Sequence, residues 1–217
     1  MTSDPRLRGL YAITHSALCA AELIERVAAA LQGGARLVQY RDKSQDRSRR
    51  LAEAQALRRL CSERQALLII NDDVELAAKV AADGVHLGRE DGALELARAR
   101  LGPGAIIGIS CYNDLDRAAA AAAAGADYLA FGRFYPSQSK PGASPAGLEV
   151  LREARGRFDL PLVAIGGITP ENGPPLIQAG ADMLAVIQAL FGQADVATAS
   201  REFSALFGPQ MNPDGRK

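Results

Sequence analysis

The sequence predicts one α/β domain folded as a single (β/α)8 TIM barrel, and two features of the pattern carry this prediction. Eight short apolar runs alternate with helix-length segments along the 217 residues, as expected for a parallel sheet built from right-handed strand-helix-strand units. Eight such units favour closure into a barrel, and the chain length lies near the lower end of the range for that fold. We expect residues 1–217 to form this one domain, with a flexible C-terminal tail from about residue 209.

The predicted strands are continuous apolar runs rather than alternating ones, which is typical of a parallel sheet covered on both faces. They cover Gly9 to Thr14, Leu37 to Tyr40, Leu67 to Ile70, a run at Val85, Ile106 to Ile109, Tyr128 to Phe131, Leu162 to Ile165 and Met183 to Val186. The helices between them have ends marked by capping residues, glycines and a first-turn proline. They cover Ala21 to Leu31, Arg47 to Arg64, Val74 to Ala82, Leu94 to Leu101, Ala118 to Ala124, Leu148 to Ala154, a segment opening at Thr169-Pro170, and Val196 to Phe207.

A weak internal repeat supports this count of units. The junctions Gly33-Gly34-Ala35, Asp83-Gly84, Gly125-Ala126-Asp127 and Gly180-Ala181-Asp182 each close a helix just before an apolar run. A doubly wound open sheet is the alternative architecture. It would want a glycine-rich nucleotide loop after the first strand, and residues 14–17 contain no glycine.

The composition argues against nucleic acid and membrane as partners, so any anion binding must be local. Basic and acidic residues number 25 each, so no global field favours nucleic acid or an anionic membrane. No apolar run reaches membrane-spanning length, and the start of the sequence lacks the apolar segment of a signal peptide, so we expect a cytoplasmic protein. Cys19, Cys61 and Cys111 have no metal-ligand spacing and are expected to be reduced thiols. The oligomeric state is open, with a homodimer as one alternative.

Two predicted strand ends each deliver an acidic residue. Asn71, Asp72 and Asp73 follow the third run, and Asp91 follows the fourth. The C-terminal ends of barrel strands form the rim where ligands bind. Asp72 and Asp91, on neighbouring strands, would offer the hard oxygen ligands that Mg²⁺ takes beside substrate phosphates. The alternative is that Asp72 or Asp73 only caps the helix that begins near Val74.

Other polar residues follow the remaining strands at the same rim. In the segment 39–43, Gln39, Arg41 and Lys43 alternate and would point the same way if the chain stays extended; a solvated charge run is the alternative. After the later strands come Ser110, Ser137, Ser139, Lys140, Ile187 and Gln188. His86 ends the fourth strand, and a buried, hydrogen-bonded role is as good an interpretation as a functional one.

Gly166 and Gly167 form a sharp turn after the seventh strand, where backbone N–H groups could approach a phosphate. Loops after strands seven and eight commonly hold phosphate in this fold, although a plain tight turn also explains two glycines. Together with the acid pair, the turn indicates two anionic groups. One phosphate would lie on backbone amides, and a diphosphate would lie on the metal with Lys43, Ser110 and Lys140.

These residues resemble thiamine phosphate synthase along the chain from Gly9 to about Phe207. The matching segments are QYRDK at 39–43, NDD at 71–73, VHLGRED at 85–91, GIS at 108–110, FGRFYPSQSK at 131–140 and AIGGIT at 164–169. That family is a (β/α)8 barrel that joins hydroxymethylpyrimidine diphosphate to a thiazole phosphate. It releases diphosphate first, so that a pyrimidinylmethyl cation is captured by the thiazole nitrogen.

The resemblance implies a role for each matched position. Asp72 and Asp91 would bind Mg²⁺, and Lys43, Ser110 and Lys140 would act in catalysis. The pyrimidine diphosphate would be held by Gln39, Tyr40, Arg41, Asp42, Lys43, Asn71, Ser110 and Lys140. The thiazole phosphate would be held by Ser137, Gln138, Ser139, Gly167, Ile187 and Gln188.

The sequence departs from the family pattern at four positions, and two rival functions share the fold. Ser137 and Ser139 stand where the family usually has threonine, Arg89 where it commonly has glutamine, and Gln188 where it has a smaller polar residue. A thiazole tautomerase or a non-catalytic thiamine-precursor-binding regulator would not need the metal and pyrimidine set. The long loop from Gly132 to Ala146 is expected to act as a lid.

Overall fold

The computed structural model describes residues 4–18, 20–88, 94–136 and 146–208, and these form a closed barrel of eight parallel strands. Neighbouring strands pair in sequence order, and β1 pairs with β8 to close the barrel. The strands are β1 (Gly9–Ile13), β2 (Leu37–Tyr40), β3 (Leu67–Asn71), β4 (Gly84–Leu87), β5 (Ile106–Tyr112), β6 (Tyr128–Gly132), β7 (Leu162–Ile165) and β8 (Met183–Val186). The predicted barrel is therefore confirmed.

Helices follow the strands and cover the outside of the barrel. They are α1 (Ala20–Gln32), α2 (Arg47–Glu63), α3 (Val74–Val80), α4 (Leu94–Leu101), α5 (Leu115–Ala123), α6 (Leu148–Arg157), α7 (Pro174–Gln178), α8 (Gln188–Phe191) and α9 (Val196–Ala205). In the part of the chain that the structure describes, no helix is long and apolar enough to cross a membrane.

The core has two layers separated by the sheet, because successive strand residues point to opposite faces. On β3, Leu67 and Ile69 pack inside the barrel, whereas Leu68 and Ile70 pack against the helices. Cys61 and Cys111 are free, fully buried thiols, and burial raises the pKa of each to about 12. The prediction of packed, reduced thiols is confirmed for these two, while Cys19 lies outside the described residues.

One prediction near the C-terminus is wrong, and one short helix there was missed. Thr169-Pro170 does not open a helix: α7 begins at Pro174, and residues 170–172 form a turn. The turn forms because the Asn172 side chain accepts from the Thr169 N–H at 2.8 Å and donates to the Gly167 carbonyl at 3.0 Å. Sequence reasoning also missed α8, a single turn that follows β8 directly.

The N-terminal rim, the end of the barrel where strands begin, carries three copies of one arrangement. Asp83, Asp127 and Asp182 each stand just before an even-numbered strand and accept a hydrogen bond from a backbone N–H of the preceding strand. Each carboxylate also pairs with an arginine on the helix that comes before that preceding strand in the sequence. We call these pairs the Asp–Arg clamps: Asp83 with Arg58, Asp127 with Arg98, and Asp182 with Arg155. At three of its four junctions, the sequence repeat therefore corresponds to a repeated structural contact.

Candidate active site

An open cleft of about 350 Å³ lies at the C-terminal rim, beside the ends of β2 and β3. Its lining includes four residues that the sequence placed in the site: Asp42, Lys43, Asn71 and Asp72. Ser44, Gln45, Arg50 and Asp73 complete the lining. The cleft therefore gathers one lysine and one arginine beside carboxylate and amide oxygens, a donor and acceptor set suited to a phosphorylated ligand with a cation.

The segment after β2 is held on both sides. The Arg41 N–H donates to Thr14 Oγ1 at 2.9 Å, and the Lys43 N–H donates to Ser16 Oγ at 3.0 Å. The intervening Asp42 accepts from Arg49 on α2 at 2.6 Å. These bonds hold the backbone of 41–43 in place, and regular strand ends at Tyr40; that Gln39, Arg41 and Lys43 point the same way stays a prediction.

Tyr40 and Asp42 are both bound to α2. Tyr40 donates its hydroxyl hydrogen to Glu53 at 2.7 Å. Burial alone would raise the pKa of Asp42, but hydrogen bonds from Ser44 and Arg49 outweigh it and lower that pKa to about 2. These two side chains fix the segment that carries Arg41 and Lys43.

Of the two acids that follow β3, Asp73 takes the capping role that the sequence left open. Asp73 is the N-cap of α3, since its Oδ1 accepts from the Leu76 N–H at 2.8 Å, and it also pairs with Arg50 at 2.8 Å. Asp72 adopts a left-handed backbone conformation with φ of 64°, and its N–H donates to the His86 carbonyl at 2.9 Å. Capping therefore falls to Asp73, and Asp72 lines the cleft.

The ends of β4 and β5 are joined by side chains and by one arginine. His86 Nε2 lies 2.8 Å from Ser110 Oγ, and the histidine is only 9% exposed. Arg117 on α5 donates to the Ser110 carbonyl at 2.7 Å and to the Gly88 carbonyl at 2.8 Å. The planar guanidinium of Arg117 therefore links β5 near its end to Gly88, the residue that follows β4. Sequence reasoning missed Arg117, whose position on a helix gave no signal.

The glycine turn after β7 packs against the segment after β6. A Cβ at Gly167 would lie 2.4 Å from the Pro136 carbonyl oxygen, and Gly167 has φ of 64°. A Cβ at Gly166 would lie 2.4 Å from Arg133 Cβ. Both positions therefore require glycine, and Asn172, a residue the sequence did not single out, braces the turn from below through its bond to the Gly167 carbonyl.

Ile187 and Gln188 lie at the start of α8. The Gln188 side chain is exposed and folds back along its own helical turn, with Nε2 2.4 Å from where a Cβ of Gly192 would be. Five predicted site residues lie outside the described residues: Asp91, Ser137, Gln138, Ser139 and Lys140. The same holds for Arg89 and for the central part of the predicted lid.

The described residues fit one half of a magnesium site. Residues 4–18, 20–88, 94–136 and 146–208 contain no cluster of three or more His, Cys, Asp or Glu that could hold a metal. Mg²⁺ does not require such a cluster, because it keeps several waters and is bound through one or two carboxylates plus substrate phosphates. Asp72, placed in an open cleft beside Lys43, meets that requirement.

Comparison with known proteins places the chain among thiamine-forming enzymes. The family model described as thiamine monophosphate synthase matches residues 10–190. The thiamine-phosphate synthase of Nitrosococcus oceani is 55% identical over 207 residues, which is 95% of this chain and 95% of that protein. The thiamine-phosphate synthase of Alcanivorax borkumensis is 54% identical and covers 93% of this chain and 95% of its own length.

A solved structure agrees with these relatives. The thiamine phosphate pyrophosphorylase of Pyrococcus furiosus superposes with a TM-score of 0.85 at 38% identity, covering 94% of this chain and 98% of that one. An orotidine 5'-phosphate decarboxylase from Pyrococcus horikoshii, 17% identical with a TM-score of 0.65, shares only the fold.

Proposed function

We propose that the chain, which belongs to the thiamine monophosphate synthase family, joins hydroxymethylpyrimidine diphosphate to a thiazole phosphate and releases diphosphate. The observation that carries this proposal is the cleft in which Lys43, Asn71 and Asp72 meet. A lysine and a carboxylate side by side suit a diphosphate bound together with Mg²⁺. The names of the curated relatives and the match over nearly the whole chain support the same reaction.

The chemistry asks for charge stabilisation more than for proton transfer. The bond between the methylene carbon and the diphosphate oxygen breaks first, and its electron pair leaves with the diphosphate. The thiazole nitrogen then gives its lone pair to the resulting cation, so that a carbon–nitrogen bond forms. Groups that stabilise the departing charge therefore lower the barrier most.

Residues of the cleft and its neighbours supply that stabilisation. The Lys43 ammonium and the Ser110 hydroxyl would donate to the diphosphate, and Lys140 would add a second cation. Magnesium bound through Asp72 and Asp91 would supply further positive charge beside the leaving group. Gln39, Arg41 and Asn71 would hold the pyrimidine diphosphate, while Tyr40 and Asp42 fix the segment through their bonds to α2.

The thiazole phosphate would bind across the barrel mouth from this cleft. Gly167, Ile187 and Gln188 follow the adjacent strands β7 and β8, and Ser137, Gln138 and Ser139 would complete the pocket. Placing the two substrates on opposite sides would bring the thiazole nitrogen toward the methylene carbon. Such positioning contributes much of the rate in reactions of two bound molecules.

One assay tests the proposal. The purified protein is incubated with both substrates, with Mg²⁺ or with excess chelator, and thiamine phosphate and diphosphate are measured together. We expect equal amounts of the two products with Mg²⁺ and almost none with chelator. A protein that instead converts a thiazole carboxylate phosphate alone, without diphosphate release, would be a tautomerase, and the proposal would be wrong.

A further inference from the structure

A chain of hydrogen-bonded side chains crosses the interior of the barrel below the candidate site. Gln39 Nε2 lies 2.7 Å from Tyr11 Oη, which lies 2.8 Å from Tyr128 Oη. Tyr128 Oη lies 3.0 Å from His86 Nδ1, and His86 Nε2 lies 2.8 Å from Ser110 Oγ. The proposed function uses only the two ends, Gln39 and Ser110. The three residues between them have no part in it so far.

A glycine on β5, Gly108, leaves the space that the aromatic rings of this chain of side chains occupy. Gly108 lies beside His86 in β4 and Tyr128 in β6, and a Cβ on Gly108 would lie 1.9 Å from Tyr128 Cζ. The His86 ring stacks on Tyr128 with centroids 5.6 Å apart, and the Tyr11 ring meets Tyr128 edge-on at 6.0 Å. The absence of a side chain at Gly108 therefore leaves room for the rings in the arrangement that brings their polar atoms within hydrogen-bond distance.

One direction of donation gives every hydrogen in this chain an acceptor. The Gln39 amide nitrogen donates to Tyr11 Oη, and the Tyr11 hydroxyl donates in turn to Tyr128 Oη. Tyr128 then donates to His86 Nδ1. Burial raises the pKa of Tyr11 and Tyr128, so both keep their hydrogens. A neutral imidazole whose Nδ1 accepts must carry its hydrogen on Nε2.

We propose that His86 is a positioning residue. As the neutral tautomer protonated on Nε2, it donates to Ser110 Oγ and turns the Ser110 hydroxyl hydrogen toward the barrel mouth. Ser110 is partly exposed, at the end of β5 where the strand bulges, so its hydrogen can reach a ligand there. This inference rests on the proposed function, because the ligand that would receive the hydrogen bond is the leaving diphosphate.

Without this constraint, the Ser110 hydroxyl could rotate and accept a hydrogen bond from the solvent side instead of donating. A donor fixed before the charge develops stabilises the transition state without reorganisation. Tyr128 and Tyr11 act on Ser110 only indirectly. Tyr128 determines which nitrogen of His86 carries the hydrogen, and Tyr11 acts through Tyr128. Removing the hydroxyl of either tyrosine should therefore reduce, but not abolish, the hydrogen bond that Ser110 donates to the ligand.

The tautomer can be observed directly, without any activity measurement. The sequence has only two histidines, so ¹⁵N NMR of the imidazole nitrogens of the full-length protein, with His15→Gln as the assignment control, resolves His86. We expect an unprotonated Nδ1 and a protonated Nε2 in the wild type, and a mixture of tautomers in Tyr128→Phe. A wild-type His86 protonated on Nδ1 would overturn the proposal.

Kinetics test whether Tyr128 acts through Ser110. We expect Tyr128→Phe to lower kcat about 10-fold and Ser110→Ala about 100-fold, with little change in the KM for thiazole phosphate. In the double variant, Tyr128→Phe should cost almost nothing further, since the hydroxyl it positions is gone. Independent, multiplicative losses would mean that Tyr128 is merely structural and would overturn the proposal.

A conservative pair provides rescue and a safeguard against misfolding. His86→Gln places an amide near the position of Nε2 and can still donate to Ser110, whereas His86→Asn reaches only the position of Nδ1. We expect the glutamine variant to keep several-fold more activity than the asparagine variant at equal thermal stability, and equal activity would contradict the proposal. A wild-type protein that forms no thiamine phosphate would instead overturn the proposed function.

Discussion

The two rims of the barrel use aspartate in opposite ways. At the N-terminal rim, each aspartate of the Asp–Arg clamps accepts from a backbone N–H and from an arginine. At the C-terminal rim, Asp72 stands in a left-handed conformation in an open cleft, while its neighbour Asp73 takes the capping bond. The clamp carboxylates stabilise the fold, whereas Asp72, which lines the cleft on a strained backbone, is suited by its position to contact a ligand.

The largest expected effect comes from Asp72→Asn. Asparagine also tolerates the left-handed conformation, so the backbone should persist while the charge is lost. We expect kcat to fall by about 100- to 1,000-fold and the Mg²⁺ concentration for half-maximal activity to rise, with the thermal midpoint unchanged.

The matched control is the adjacent Asp73→Asn, which keeps a capping side chain and should lose far less activity. Mg²⁺ titrations of both variants decide the assignment. If Asp73→Asn lost the metal dependence and Asp72→Asn kept it, the metal ligand would be Asp73 and the contrast between the two residues would be reversed.

Gly167→Ala should have the next largest effect. An alanine at this φ costs roughly 1–2 kcal/mol, and its Cβ would collide with the Pro136 carbonyl. We expect the KM for thiazole phosphate to rise about tenfold, measured with the pyrimidine diphosphate saturating.

Gly125→Ala has comparable backbone strain, with φ of 89° and nothing within 4 Å of the new Cβ, but lies toward the N-terminal rim. It should lower stability and leave this KM alone; a rise in KM there would show that strain, not position, matters.

Asp83→Asn tests the N-terminal rim. The variant loses the ion pair with Arg58 at 3.0 Å and weakens the bond from the Leu68 N–H at 2.7 Å. Losing charge-assisted bonds of this kind should cost about 2 kcal/mol of unfolding free energy, and kcat should stay at the wild-type value.

Denaturant unfolding and kinetics on the same sample give both numbers. Glu75→Gln is the control, because the exposed Glu75–Arg100 pair should contribute little. An activity loss in Asp83→Asn that matched its stability loss would mean that the two rims are energetically coupled and do not have separate roles.

The sequence predicted the barrel well because its information is local. Apolar runs recur in every unit and glycine junctions in four of them, and strands such as Leu162–Ile165 were predicted to the residue. The Thr169-Pro170 helix was wrong because Asn172 bonds backward to Thr169 and Gly167, and no propensity rule contains that competition. Arg117 and the Tyr11–Tyr128 pair were missed because their contacts join elements far apart in sequence. The family was recognised from motifs and is confirmed, whereas the roles of its site residues remain predictions.

Gln188→Ala should have the smallest effect, although this residue departs from the family pattern. Its side chain folds back along α8 toward Gly192 and is exposed, and phosphate sites after strands seven and eight rely on backbone N–H donors whose position does not depend on the side chain. We expect kcat to be nearly unchanged and the KM for thiazole phosphate to rise less than about threefold, since a surface truncation of this kind usually changes free energies by about 0.5 kcal/mol or less. Steady-state kinetics beside Gly167→Ala settle the point. A large KM effect of Gln188→Ala with no effect of Gly167→Ala would mean that side chains hold the phosphate. The phosphate site at the C-terminal rim would then depend on the Gln188 side chain and not on the backbone of the glycine turn.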